Sequence, residues 1–176
     1  WSGKGNTFSK MGRYNESLLA DERAIELDPQ DPDNWNSMGL KLRDLQEYNR
    51  SLEAFEEAIK LNNTYIDPWN NKGRIYFDLE EYNESIRCFD KAIELDPKYK
   101  YAWYNKGLAL KNLGSYNESI EACEHAIELD EKYVDAWNIK GTSLLGLKEY
   151  NESIRCFDKA VELDPKYKYA WYNKGL

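Results

Sequence analysis

Proline, cysteine, histidine and basic charge are all in short supply. Among 176 residues there are five Pro, three Cys, two Met and one His. Lys and Arg number 24 against 32 Asp and Glu, a formal net charge of -8. That acidic balance argues against nucleic acid as a partner, because such binding rests on basic side chains neutralising phosphates. No run of about 18 apolar residues occurs, so no membrane span is expected. Cys88, Cys123 and Cys156 are odd in number and widely spaced, which does not read as a disulfide framework and fits a reducing, cytoplasmic location. The lone His125 has no second His or Cys at metal-ligand spacing. It also makes no nucleophile pair with Cys123, two residues away on one expected helix and facing elsewhere. No cofactor, metal or catalytic constellation is expected, and the chain is not read as an enzyme.

What is present is periodic. The six Trp stand at Trp1, Trp35, Trp69, Trp103, Trp137 and Trp171, each 34 positions after the last. A fixed period of this size marks a repeat architecture. Counting from each Trp, four positions on is Gly, seven on is apolar, ten on is Leu or Met, and thirteen on is Tyr (Tyr14, Tyr48, Tyr82, Tyr116, Tyr150). The first three steps trace one stripe of a helix. A mid-helix Gly costs about 1 kcal/mol against Ala, so its recurrence implies that a neighbouring helix approaches closely there. Asn follows each of these Tyr, and Asn15, Asn49, Asn83, Asn117 and Asn151 are expected to cap a second helix. Asp28-Pro29, Asp96-Pro97 and Asp164-Pro165 end it.

Each period is therefore two helices of about 13 residues, too small to bury its own apolar face except against its neighbours. The five Asn-x-Ser triplets read as part of the copied repeat rather than as glycosylation sites. Lys-Gly at Lys4-Gly5 and Lys72-Gly73 occupies a helical slot and is not a phosphate loop. Residues 82–108 and 150–176 differ only at Ile93 against Val161, a two-repeat duplication.

The Trp, Gly, Tyr, Ala and Pro pattern resembles the tetratricopeptide repeat family over the whole chain. There are departures. Ser17, Ser51, Ser85, Ser119 and Ser153 stand where the family favours Ala, and Asp21 and Cys123 replace an aromatic. The resemblance implies an all-α fold, an α/α right-handed superhelical solenoid. Residues 1–176 are expected to form a single array. Its repeats are a truncated 1–31, then 32–65, 66–99, 100–133 and 134–167, with a partial first helix at 168–176. The abrupt start and finish suggest a segment of a longer array.

In the family the first helices line a concave groove. The positions expected to face it here are Asn36, Asn70, Asn71, Arg74, Phe77, Tyr101, Tyr104, Asn105, Leu108, Lys111, Asn138, Tyr169 and Tyr172. A row of Asn offers donors and acceptors to a peptide backbone whatever its sequence, although Ser37 and Ile139 interrupt it. Aromatic rings with Arg and amides have the composition of binding hot spots, and the best patch is central, around Tyr101 and Tyr104. The clamp that some members use for chaperone tails needs a Lys two before the Trp. Asp33, Asp67, Tyr101, Asp135 and Tyr169 stand there instead. The expected function is a scaffold that binds a peptide or helix of a partner protein in the groove. End-to-end self-association and a substrate-presenting arm of a longer enzyme are the alternatives.

Overall fold

The computed structural model describes residues 14–175. Trp1, Gly5, Phe8 and Met11 lie outside the described residues. Ten α-helices and no strand occur among those described. They form two compact units, Trp1–Leu79 and Glu80–Leu176. The first holds α1 (Tyr14–Leu27), α2 (Pro32–Asp44), α3 (Tyr48–Leu61) and α4 (Ile66–Asp78). The second holds α5 (Tyr82–Leu95), α6 (Lys100–Leu113), α7 (Tyr116–Leu129), α8 (Val134–Gly146), α9 (Tyr150–Leu163) and α10 (Lys168–Lys174). Within each unit every helix packs on the next in sequence. The Trp-bearing helices also touch one another, α2 on α4 in the first unit and α6 on α8 on α10 in the second.

Close approach explains the glycines. A Cβ on Gly39 would lie 2.5 Å from the Phe55 ring, and one on Gly141 would lie 2.5 Å from that of Phe157. In the repeat where Cys123 replaces the aromatic, a Cβ on Gly107 would meet its sulfur at 2.7 Å. Real Cβ atoms do not come so close, so each slot demands Gly while its neighbour stays. The Ser that departs from the family pattern has a partner in the same contact. Ser119 and Ser153 donate to the carbonyls of Gly107 and Gly141, each at 2.7 Å. The Gly carbonyl thus gains a buried hydrogen bond that Ala could not supply.

Turns are equally regular. At each junction leading into a Trp-bearing helix, Asp28, Asn62, Asp96, Asp130 or Asp164 accepts from the backbone N–H two residues on. These are Asx turns, which a short carbonyl side chain favours. The indole N–H of Trp35, Trp103, Trp137 and Trp171 donates to the carbonyl of Pro29, Pro97, Glu131 and Pro165, at 2.9–3.0 Å. Trp therefore ties its helix to the preceding turn. Out of that helix, the chain passes through a left-handed residue: Gln46, Glu80, Gly114 or Lys148, with φ between 62° and 85°.

The expected Asn caps are not found. Each second helix begins one residue earlier, at Tyr, and Asn49, Asn83, Asn117 and Asn151 lie at the second helical position. Glu47, Glu81, Ser115 and Glu149 precede the helices and make no side-chain cap bond. Ring packing decides the start: Tyr116 fills the space that a Cβ on Gly146 would need, 2.6 Å away. Asp21, in the aromatic slot of α1, is fully buried. Its carboxylate accepts from Ser37 at 3.2 Å and faces the buried Lys41 ammonium at 3.7 Å. Burial outweighs that ion pair and raises the Asp21 pKa above its ordinary value.

Candidate functional site

The groove positions expected from the sequence fall on both units. Asn36 lies on α2; Asn70, Asn71, Arg74 and Phe77 lie on α4. Tyr101, Tyr104, Asn105, Leu108 and Lys111 lie on α6, Asn138 on α8, and Tyr169 and Tyr172 on α10.

In the first unit the asparagines are inside. Asn36 is 8% exposed, and Asn70 and Asn71 are likewise buried. The Asn71 amide donates to the Asn36 side-chain carbonyl at 3.2 Å, and the Asn36 amide donates to the Tyr65 hydroxyl, also at 3.2 Å. That hydroxyl hydrogen-bonds the Asp33 carboxylate in turn, and burial first, then Asp33, holds the phenol above its ordinary pKa. Asn36 thus joins its own repeat to the next one. Arg74 is exposed and Phe77 half-buried on the same helix.

The second unit repeats this arrangement on α8. Asn173 donates to Asn138, itself 7% exposed, at 2.9 Å. Tyr167 donates to Asp135 at 2.6 Å, and burial followed by Asp135 again raises its pKa.

On α6 the pattern changes. The three slots that hold Asp33, Asn36 and Tyr65 in the second repeat hold Tyr101, Tyr104 and Tyr133 here. Tyr101 stands edge-on to Tyr99 and Tyr133, with ring centroids at 5.6 and 6.1 Å, and Tyr104 leans on Tyr133 at 5.1 Å. Tyr104 and Tyr133 pack on Ala126, Ile127 and Ala136. The Lys100 ammonium sits 5.2 Å from the Tyr101 ring and 5.3 Å from that of Tyr133. It is held by Asp130 at 2.6 Å, which raises the lysine pKa and lowers that of the carboxylate. Edge-to-face pairs and a cation over two rings fix the tyrosines while leaving ring surface in solvent. Tyr101 remains 49% exposed. The duplicated segment on α10 repeats the edge contact of Tyr167 with Tyr169 at 5.6 Å and carries Tyr169 and Tyr172 at 54% and 69% exposure.

Tyr99, Tyr133 and Lys100 are absent from the expected groove positions, yet they order the exposed rings. A signal for this exists in the sequence. Lys directly precedes Tyr at Lys100 and Lys168, where other repeats carry Pro32, Ile66 or Val134. Further along the α6 stripe, Leu108 and Lys111 are half-buried. Burial lowers the Lys111 pKa, and no carboxylate is among the charges that act on it.

A concavity of about 630 Å³ lies between α7, α8 and α9, lined by Ile120, Trp137, Leu144 and Cys156. Over the preceding Trp103 stands His125, ring to ring at 4.4 Å. Burial pushes the Cys123 thiol up to about 12 and raises that of Cys156 as well, the wrong direction for a nucleophile. Among the described residues no group of three or more His, Cys, Asp or Glu could hold a metal ion. Nor is any helix among them long and apolar enough to cross a membrane.

Family models for the tetratricopeptide repeat match residues 1–31, 32–65, 101–133 and 134–167, and a TPR repeat model matches 73–114. No curated protein matches the chain. Among solved structures, that of MamA is 23% identical, with 93% of this chain and 96% of MamA covered and a TM-score of 0.82. YrrB, described as a TPR protein with an unusual peptide-binding site, is 21% identical, with 99% and 90% covered and a TM-score of 0.79. A thermophilic TPR protein of Thermus thermophilus is 19% identical, with 99% and 95% covered and a TM-score of 0.79. At such identities the likeness is one of fold, a helical solenoid.

Proposed function

The chain belongs to the tetratricopeptide repeat family, whose members are protein-interaction scaffolds, and from that premise we propose that its Trp-bearing helices form a concave groove that takes a peptide or helix of a partner protein. The observation that supports this is the exposure of Tyr101, Tyr169 and Tyr172 on those helices, at slots the repeat frame does not require. Large rings held by neighbouring rings bury much area on binding and lose little side-chain entropy, which is why Tyr is enriched in hot spots. Tyr104, Leu108 and Lys111 extend the contact along α6 of the second unit, and within the first unit Arg74 and Phe77 stand at comparable positions on α4. Asn36, Asn70 and Asn71 in the first unit, and Asn138 in the second, support these helices from beneath, since their side chains are buried.

The test is selection of binders from a displayed library of random peptides on the intact chain. Binding by the selected peptides to a Tyr101→Ala/Tyr104→Ala variant is then measured, with helicity checked by circular dichroism. Loss of at least about tenfold in affinity is expected for two hot-spot rings. Full-strength binding to the helical variant would remove this face from the function.

A further inference from the structure

The duplication places the same tyrosine pair twice on one unit. Tyr101 and Tyr104 on α6 recur as Tyr169 and Tyr172 on α10, with α8 packed between them. In each pair the residues are three apart on a helix and share a face. Packed helices lie about 8–10 Å apart, so the two pairs are separated by roughly 16–20 Å. Between them α8 offers little to a peptide backbone: the Asn138 carbonyl is occupied by Asn173, and the Asp135 carboxylate by Tyr167. A ligand crossing this face gains its affinity from ring contacts and keeps its own backbone solvated.

Polyproline II meets those conditions. It has no internal hydrogen bonds, its backbone stays in water, and it repeats every three residues with a rise of about 3.1 Å per residue. Two turns span about 19 Å, which returns the same face of the ligand from one tyrosine pair to the other. Aromatic-lined grooves are the usual receptors for such segments because the ligand is already ordered before it binds. Charge adds a second requirement. Lys111 shares the α6 stripe with Tyr104 and Leu108, about 10 Å along the axis from Tyr104. It is half-buried, with no carboxylate acting on it among the described residues. A half-buried cation without an anion is costly, and a ligand carboxylate would relieve that cost.

We propose that the α6–α8–α10 face binds an acidic, proline-rich segment in the polyproline II conformation, its prolines stacking on the Tyr101–Tyr104 and Tyr169–Tyr172 pairs and a carboxylate meeting Lys111. This rests on the groove reading above and names the chemistry of its ligand. Three fluorescently labelled peptides test it on the intact chain: four Pro-Pro-Glu triplets, four Pro-Pro-Lys triplets and four Gly-Ser-Glu triplets. The Pro-Pro-Glu peptide is expected to bind at least about tenfold more tightly than either of the others. Tyr104→Ala and Tyr172→Ala should each weaken it about tenfold. Lys111→Met should abolish the preference for Glu over Lys, with helicity unchanged.

Equal binding of the Gly-Ser-Glu peptide, or a Glu preference that survives Lys111→Met, overturns the proposal. The library peptides separate the two levels. Selected peptides that lack proline and still need Tyr101 and Tyr104 would keep the groove and sink its ligand assignment. Peptides indifferent to those tyrosines would sink both.

Discussion

In the hairpin of α2 and α3, Asp33, Asn36 and Tyr65 close on one another; in that of α6 and α7 the same slots hold Tyr101, Tyr104 and Tyr133. Two further slots change with them. Pro32 and Asn62 in the first hairpin become Lys100 and Asp130 in the second, joined at 2.6 Å. A phenol that bonds a carboxylate and an amide gives way to rings that pack edge to face beneath a lysine. The first arrangement consumes its polar groups internally and links repeat to repeat through Asn71. The second uses ring edges for order and leaves ring surface outside. One frame therefore carries two surfaces, one closed on itself and one with ring surface exposed.

The buried side of the two hairpins differs as well, and there the largest effect is expected. Phe55 fills the slot over Gly39, whereas Cys123 fills it over Gly107. Both are fully buried. Phe55→Ala should cost about 3–5 kcal/mol, through lost transfer and the cavity left behind. Cys123→Ala removes one sulfur and should cost about 1 kcal/mol. Urea denaturation followed by circular dichroism gives both values. Equal costs would mean that the two hairpins do not share this contact in solution.

Next in size is the closed network. Tyr65→Phe and Tyr167→Phe each delete a hydroxyl that bonds a carboxylate, and in Tyr65 an amide too. Each should cost about 1–2 kcal/mol at neutral pH. The same bonds predict an alkaline limit. Both phenols are raised in the folded chain, so they hold a proton that the unfolded chain releases near its usual value of about 10. Their contribution is complete below that value and is lost as pH rises above it toward the folded values. Denaturation midpoints should fall steeply above about pH 10 in the parent and less steeply in the double Phe variant. Parallel pH profiles would break the contrast between closed and open hairpins.

The period, the close-approach glycines and the ends of the second helices before Asp-Pro were legible in the sequence, because each is set within one repeat. What escaped was set between residues of different repeats or between side chains competing for one site. Asn36 and Asn138 sit at groove offsets on a single-helix count, but Asn71 and Asn173, supplied by the following repeat, bury and occupy them. Asn49 and its copies have the chemistry of a cap, yet the helix starts at the Tyr one residue earlier, and in the Tyr116 copy that ring packs against Gly146 of the next helix. Lys100 and Asp130 lie 30 positions apart, too far for any local pattern to pair them. Tyr101 and Tyr104 stood out because subtracting the repeat left them unexplained. Tyr133 did not, since the period alone accounts for a Tyr there.

The smallest expected effect concerns the turn between the two helices of each hairpin. Gln46 and Gly114 occupy the same left-handed position, with φ of 62° and 85°. An L side chain there costs about 1–2 kcal/mol, which Gly does not incur, though Gly loses more chain entropy on folding. A Cβ on Gly114 would meet nothing within 4 Å, so Gly114→Ala reports the backbone cost alone, expected at about 1 kcal/mol. Gln46→Gly should stabilise by a similar or smaller amount. Opposite signs in paired denaturation curves would tie both hairpins to one turn geometry. A Gly114→Ala variant as stable as the parent would show that the α6–α7 turn leaves the left-handed region in solution, and would separate the two hairpins in their frame as well as on their faces.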